Sequence, residues 1–385
     1  MDLMSRRQLT KEACSRYRQA TKKQKIKILD EFVANTHYHR KYALALLHSR
    51  VPQHLSTGRR RKRVYTPEVI DALTFIWKVS RYSGSHRLHP FLPDMVAVLE
   101  HHDELRLMPT TRQLLLQISP ATMDRLLKPA RRAMVPHGRT TTKPGTLLKK
   151  SIPIRTWADW DDLKPGFLEI DLVAHCAEST EGKYLETLDC VDVATGWCEC
   201  IVPRNQGQQA IFDALIEIRQ RCPLPLLGID SDNDGAFINQ HLKRYCDDEK
   251  IMFTRSRPYK KNDQAHVEGK NWTVVRQYVG YARYEGDAAR LDLNMLYKDL
   301  RLYVNFFQPM MKLKEKTRVD GKVKKLYDTA QTPFQRVLAS TTVSDDIKQK
   351  LRELYVTLNP VKLLADIQAN LDHLWQIHAT RQRPE

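Results

Sequence analysis

The stretch FLEIDLVA, residues 167–174, sets an aspartate inside an apolar run. Leu168, Ile170 and Leu172 alternate with Glu169, Asp171 and Val173, the period of two that marks a strand. A charge buried in mid-strand costs several kcal/mol, on the order of a fold's whole stability margin, unless it is paired or bound to a metal. Asp171 therefore stands out, and Glu169, which shares its face, is its rival on the same strand.

The elements that follow can be read outward from there. Tyr184–Val193 and Trp197–Val202 read as strands joined by a turn at Ala194, Thr195 and Gly196. Gln208–Arg219 has helical spacing, and Leu226–Asp230 is a short buried strand. Phe237–Asp247 reads as a helix, Ile251–Thr254 as a strand and Ala265–Tyr281 as a long helix. Three strands, helix, strand, helix, strand, helix is the order of the ribonuclease-H-like fold. The expectation for residues 166–288 is an α/β ribonuclease-H-like core, a mixed five-stranded sheet with helices.

Two more carboxylates fall at element ends. Asp232 follows the fourth strand in GIDSDND, residues 228–234, and Glu268 sits one turn into the last helix. Carboxylates on adjacent strands and on a helix laid across them can converge on one point. Hard oxygen ligands of this kind suit magnesium or manganese, not zinc. Asp230, Asp232 and Asp234 alternate and would share a face in a strand, so the motif alone leaves all three open.

These residues resemble the integrase-core transposases and retroviral integrases, whose signature is two aspartates and a glutamate with 35 residues between the last two. Between Asp232 and Glu268 lie 35 residues. Ser231, Asp232 and Asn233 are similar to the family's Thr/Ser-Asp-Asn turn. Pro258, Tyr259 and the run QAHVE, residues 264–268, resemble its Pro-Tyr and Gln-Gly-x-Val-Glu segments, and Asn271 also fits. The runs IPIRTWADWDDLKPGFLEIDLVAHC, FTRSRPYKKNDQAHVEGKNW and RLYVNFFQP look like bacterial insertion-sequence transposases of the ISNCY-like group. The chain departs from the pattern at Asp234, where the family usually has glycine, and it has no His/Cys zinc module near its start.

The resemblance implies a DNA transposase that binds element ends, cleaves the 3′ end and transfers the strand into target DNA. It implies Asp171, Asp232 and Glu268 as catalytic and metal-binding residues, with two Mg2+ ions per site and Mn2+ as a substitute. The motif and the 35-residue interval favour Asp232 over its two neighbours. The partners implied are double-stranded DNA, both element termini and target, and a second copy of the chain on that DNA. Two other readings stand beside it: a silent transposase-derived DNA-binding regulator, which loss of a carboxylate would reveal although none is lost, and a nuclease without joining activity, which shares these residues. His175 and His266 stand near the carboxylates, His175 read as a hydrogen-bonded structural residue. Trp272 and Val275 are expected to pack the last helix onto the sheet.

Charge partitions unevenly along the 385 residues. Residues 1–150 hold 30 Lys+Arg against 11 Asp+Glu, and the remaining 235 hold 33 against 34. A positive half beside a near-neutral one is the layout of a chain that grips a polyanion with one part and acts on it with another. Within residues 1–57 the apolar positions Ile28, Leu29, Phe32, Val33 and then Tyr42, Ala43, Leu46, Leu47 give two helices around a break at 34–37, a helix-turn-helix pattern. Arg40 and Lys41 open the second helix and are DNA-contact candidates. Arg59, Arg60, Arg61, Lys62 and Arg63 repel one another too strongly for a core and read as a DNA-tracking segment.

Residues 58–135 read as further helical units. Thr66 and Pro67 cap one helix start, Ser119 and Pro120 another, and Arg125 and Lys128 line the polar face of the latter. Residues 136–165 read as a basic linker, and 289–385 as a mainly helical region with a hairpin turn at Val319, Asp320, Gly321 and Lys322. Lys260, Lys261, Lys270 and Arg276 surround Glu268 with positive charge and are phosphate-contact candidates. The seven cysteines include no CxxC pair, which argues against a disulfide framework or a zinc site, so buried reduced thiols are expected. With no apolar run long enough to span a bilayer, the expected location is cytoplasmic, at the nucleoid.

Overall fold

The computed structural model describes residues 3–48, 64–134, 164–231, 237, 240–255, 264–319 and 322–379. Asp232, Asp234, Lys260, Lys261, the run 59–63, the basic linker up to residue 163 and the hairpin turn residues Asp320 and Gly321 lie outside the described residues. The chain forms two compact units, residues 1–64 and 65–385.

The first unit is three helices, α1 (Leu3–Gln19), α2 (Lys22–Thr36) and α3 (Arg40–His48). The Thr21 amide donates to Gln24 Oε1 at 2.9 Å to start α2. His37, with φ 56°, takes the left-handed C-cap and closes it on the Val33 carbonyl. The break thus falls at 37–39, later than the sequence pattern placed it. Cys14 and Tyr17 of α1 meet Ile28, Leu29, Phe32, Ala43 and Leu47 in one small core. Sequence periodicity passed over α1 because few of its positions are buried apolar ones.

The second unit opens with α4 (Pro67–Val79), α5 (Ser85–His101), α6 (Pro109–Leu116) and α7 (Pro120–Met134). Val69, Leu73, Ile76 and Trp77 recur at helical spacing along α4 and are buried. They belong to the same hydrophobic cluster as one flank of the sheet and the C-terminal helices. The Tyr303 hydroxyl donates to the Val79 carbonyl at 2.6 Å, tying α4 directly to the C-terminal region. Residues 65–134, read from sequence as separate helical units, are therefore part of the body that surrounds the sheet.

The sheet comprises β1 (Phe167–His175), β2 (Leu185–Asp192), β3 (Cys198–Ile201), β4 (Gly228–Ser231) and β5 (Met252–Arg255). Its order is β3-β2-β1-β4-β5. β2 runs antiparallel to β1 and β3, whereas β4 is parallel to both β1 and β5. With α8 (Gln208–Arg221) and α9 (Gln240–Asp248) as crossovers, this is the ribonuclease-H-like topology expected from the element order. At the β2–β3 turn Asp192 accepts the Thr195 amide at 2.7 Å. Gly196 takes a φ of 74° there, a left-handed conformation that favours glycine, with the Met310 side chain packed close against it.

The two sheet faces differ, and alternation explains how. Leu168, Ile170, Leu188, Ile201 and Ile229 point to one side, against Ile211, Leu215 and Ile218 of α8. Each such side chain contributes about 1.5–3 kcal/mol when fully buried. The opposite side carries Glu169, Asp171, Asp189 and Asp230, with Val173, Val191, Cys198 and Cys200 completing it.

Over that acidic side lies α10 (Ala265–Lys270), continued by a π-helical segment (Asn271–Arg276) and α11 (Gln277–Val279). The uninterrupted helix expected over 265–281 is thus broken into π geometry just past Glu268. Beyond it come α12 (Gly286–Phe307), the hairpin β6 (Leu313–Val319) and β7 (Lys322–Tyr327), then α13 (Pro333–Ala339), α14 (Asp345–Thr357) and α15 (Pro360–Ala379). Val319 pairs with Lys322, on either side of the expected hairpin turn. Among the described residues no helix is long and apolar enough to cross a membrane.

Candidate active site

Asp171 sits in the middle of β1, half-buried, with Asp189 of β2 as its cross-strand partner. Its carboxylate is held from two sides. The Leu172 amide donates to Oδ1 at 2.8 Å, and Asn271 Nδ2 donates to Oδ2 at 2.6 Å. Asn271 is the first residue of the π segment and lies three residues past Glu268, hence one turn along the same side of the helix. That hydrogen bond ties the helix that bears the exposed Glu268 to β1 at Asp171.

The helix itself is fixed by neighbours of Asp171. Glu169 Oε2 accepts the amides of His266 and Val267, both at 2.9 Å, at the N-terminus of α10, where peptide dipoles favour a negative charge. Gln264 reaches from the N-cap position to the carbonyls of Ile170 at 3.5 Å and Asp230 at 3.3 Å, clipping β1 and β4 beneath the helix. Glu169, the rival to Asp171 on sequence grounds, is buried and engaged as a helix cap. Asp230 is likewise buried in β4, with the Thr254 hydroxyl donating to its Oδ1 at 2.7 Å. β4 ends at Ser231, whose partner on β1 is Ile170, the residue before Asp171.

Asp189 escaped the sequence reading, although it lies within the apolar strand LETLDCVD as Asp171 lies within its own. It is fully buried, and burial pushes its carboxyl up to about 7, against the thiols of Cys198 and Cys200 and the charge of Lys270, which act to lower it. Cys198 Sγ lies 3.2 Å and Cys200 Sγ 3.5 Å from Asp189 Oδ1, and the sulfurs are 3.9 Å apart. A CxxC search misses this trio because a strand aligns residues two apart: Cys198 and Cys200 share a face by alternation.

His175 is a structural residue, as expected. It is buried, Nε2 lies 2.7 Å from the Thr187 hydroxyl, and Thr187 meets the Tyr297 hydroxyl at 2.8 Å. Burial, reinforced by Arg276, lowers its imidazole to about 3. His266 is lowered to about 4, by burial and then Lys312.

The other candidates distribute as follows. Arg40 and Lys41 are exposed at the start of α3, Arg40 paired with Asp30. Arg125 and Lys128 are exposed on α7, with Arg125 donating to the Thr122 hydroxyl at 2.7 Å. Lys270 is buried against the sheet. Arg276 donates to the Ala174 carbonyl at 2.7 Å and lies over the Tyr281 ring, so it braces the end of β1. Val275 is buried as expected, but Trp272, expected to pack onto the sheet, is 51% exposed. The π segment places it on the outer side of the helix.

Among known proteins the chain is 40% identical, over 338 residues, to the uncharacterized protein y4rM of Sinorhizobium fredii (strain NGR234), covering 87% of this chain and 96% of that one. The chain belongs to the y4rM family. No protein-family model matches it. Among solved structures, the catalytic core domain of HTLV-2 integrase in complex with magnesium is 15% identical and aligns with 39% of this chain and 92% of its own, at a TM-score of 0.30. The BIV integrase catalytic core is 17% identical over 44% of this chain and 91% of its own, at a TM-score of 0.28. The sheet of this y4rM-family chain has the strand order and directions of the ribonuclease-H-like fold.

Proposed function

We propose that this protein is a metal-dependent DNA transposase of an insertion sequence, of the ISNCY-like group, which binds element ends, cleaves the 3′ end and joins it to target DNA. The observation that carries this reading is the Asn271–Asp171 hydrogen bond at 2.6 Å, which ties the helix bearing Glu268 to the central strand bearing Asp171. Asp171 belongs to the central strand β1 and Glu268 to the helix laid across it, and Asp232 is the residue that follows β4 in the sequence.

The donor set fits magnesium. Asp171, Asp232 and Glu268 offer hard carboxylate oxygens, and Asp171 reaches the acidic side of the sheet without being fully buried. These residues would hold two divalent ions, Mg2+ or Mn2+, which when bound supply activation of the attacking oxygen and charge neutralisation at the leaving one. Asn271 orients Asp171, and Glu169 and Gln264 hold the helix that presents Glu268. The three-helix N-terminal unit, with Arg40, Lys41 and the run Arg59 to Arg63, grips double-stranded DNA, and copies of the chain assemble on it. DNA in the cytoplasm, at the nucleoid, is the substrate.

The deciding experiment incubates the protein and Mg2+ with a labelled duplex carrying the DNA that flanks its own reading frame. Nicked and joined products, both abolished by EDTA, are expected. Nicking without joining would favour a nuclease, and the absence of any product in Mg2+ or Mn2+ would favour a silent DNA-binding regulator.

A further inference from the structure

The turn between α4 and α5 is strained. Arg81 and Tyr82 both occupy the left-handed region, with φ of 48° and 61°. Neither residue tolerates it well, although Gly84 follows two residues later in an ordinary conformation. Such strain persists where surroundings over-determine it, and it gathers at functional sites. Here Tyr303 holds the Val79 carbonyl at 2.6 Å, and Gln308 Nε2 holds that of Ser80 at 3.2 Å. The Arg81 guanidinium lies 3.9 Å over the Tyr278 ring, and Tyr82 packs edge-on against Trp77 while remaining 48% exposed.

This turn forms one wall of a cavity of about 720 Å³. The helical stretch that bears Glu268 also lines it, contributing Lys270 and Gln277, as does Lys312, whose ammonium donates to the Val193 and Ala194 carbonyls at 2.6 and 2.9 Å. Four cations, Arg81, Arg87, Lys270 and Lys312, line it, with no carboxylate among the described lining residues. A duplex is too wide for such a space, whereas one or two nucleotides match its size. Cations for phosphate beside an exposed aromatic ring for a base are the two components of single-strand recognition.

We propose that this cavity receives an unpaired nucleotide of a single DNA strand, its phosphate among the cations and its base against Tyr82. The proposal rests on the reading of the protein as a DNA-processing enzyme and adds where the strand leaving the duplex is held.

The test uses the full-length protein and two fluorescein-labelled probes, an oligothymidylate and a blunt duplex, each of about 20 nucleotides per strand. Tyr82→Asn keeps a residue that tolerates the left-handed turn but removes the ring, and Arg87→Glu reverses an exposed charge. Each is expected to weaken oligothymidylate binding at least about fivefold, with Tyr82→Phe within about twofold of wild type, because the ring face supplies the stacking. Duplex affinity should move by less than about twofold in all three, since its grip is assigned to the N-terminal unit. Melting temperatures check that each variant is folded.

If wild type binds both probes and Tyr82→Asn and Arg87→Glu bind oligothymidylate equally well, the cavity assignment is overturned while the proposed enzyme stands. Equal losses on both probes in folded variants overturn the single-strand assignment in favour of a duplex contact. A wild type that binds neither probe removes the DNA-enzyme reading and the cavity assignment with it.

Discussion

Asn271 donates its side-chain amide to Asp171 Oδ2 at 2.6 Å, across 100 residues of sequence, and this bond joins the π-helical turn after Glu268 to the central strand. Residues that orient a metal-binding carboxylate typically cost 10- to 100-fold in metal affinity or activity when removed. Asn271→Ala should therefore lower the nicking rate by about that factor while the melting temperature stays near that of wild type. A rate unchanged at every Mg2+ concentration would show that Asp171 needs no such anchor. Asn271→Asp, which sets a second carboxylate against the first, should be the more damaging of the two.

The metal ligands themselves can be tested by shape-preserving substitutions. Asp171→Asn, Asp232→Asn and Glu268→Gln should each abolish nicking and joining while leaving end binding intact, as read by gel shift on the same duplex. Asp230→Asn and Asp234→Asn should be much milder. Glu169→Gln should act on stability instead, by about 0.5–2 kcal/mol, because its carboxylate caps α10. An inactive Asp230→Asn beside an active Asp232→Asn would move the assignment by one strand repeat.

The N-terminal unit should bind DNA alone. Residues 1–64 carry 17 Lys+Arg against 4 Asp+Glu and have their own core around Phe32 and Leu47. Fluorescence anisotropy of this fragment on duplex DNA should show affinity falling steeply with salt, as counterion release requires. A fragment ending near residue 140 is a poorer test, because it strips α4–α7 from the core they share with α12–α15. The assignment fails if residues 65–385 bind duplex as tightly as the full chain.

Acid should destabilise the protein through His175. Its folded value is lowered to about 3 from an ordinary 6.5, so folding favours the neutral ring. That contribution is fully present above about 6.5 and is lost as the pH falls from there toward 3, amounting to roughly 4 to 5 kcal/mol at most. His175→Gln keeps a polar group toward Thr187 without titrating. Urea unfolding at pH 7 and pH 4.5 should give a smaller difference for the variant than for wild type, and identical differences would place the acid sensitivity elsewhere.

Much of the fold, and the carboxylate candidates for the site, were legible in sequence because their signals are local. Alternation around Asp171 marks β1, cap and proline pairs mark the starts of α4 and α7, and element order marks the ribonuclease-H-like topology. The carboxylate candidates follow from spacing along the chain. Tertiary structure alone decided which charges are spoken for. Glu169 and Asp171 are equivalent by alternation, yet the former meets the amides of His266 and Val267 and the latter meets Asn271, since α10 crosses β1 at one place. Asp189, Cys198 and Cys200 are brought together by strand pairing, which no spacing rule encodes. The cavity behind α10 likewise needs the α4–α5 turn to be carried onto the helix by α12. Periodicity reports which face of an element is buried, and the partner that buries it is set by packing between elements far apart in sequence.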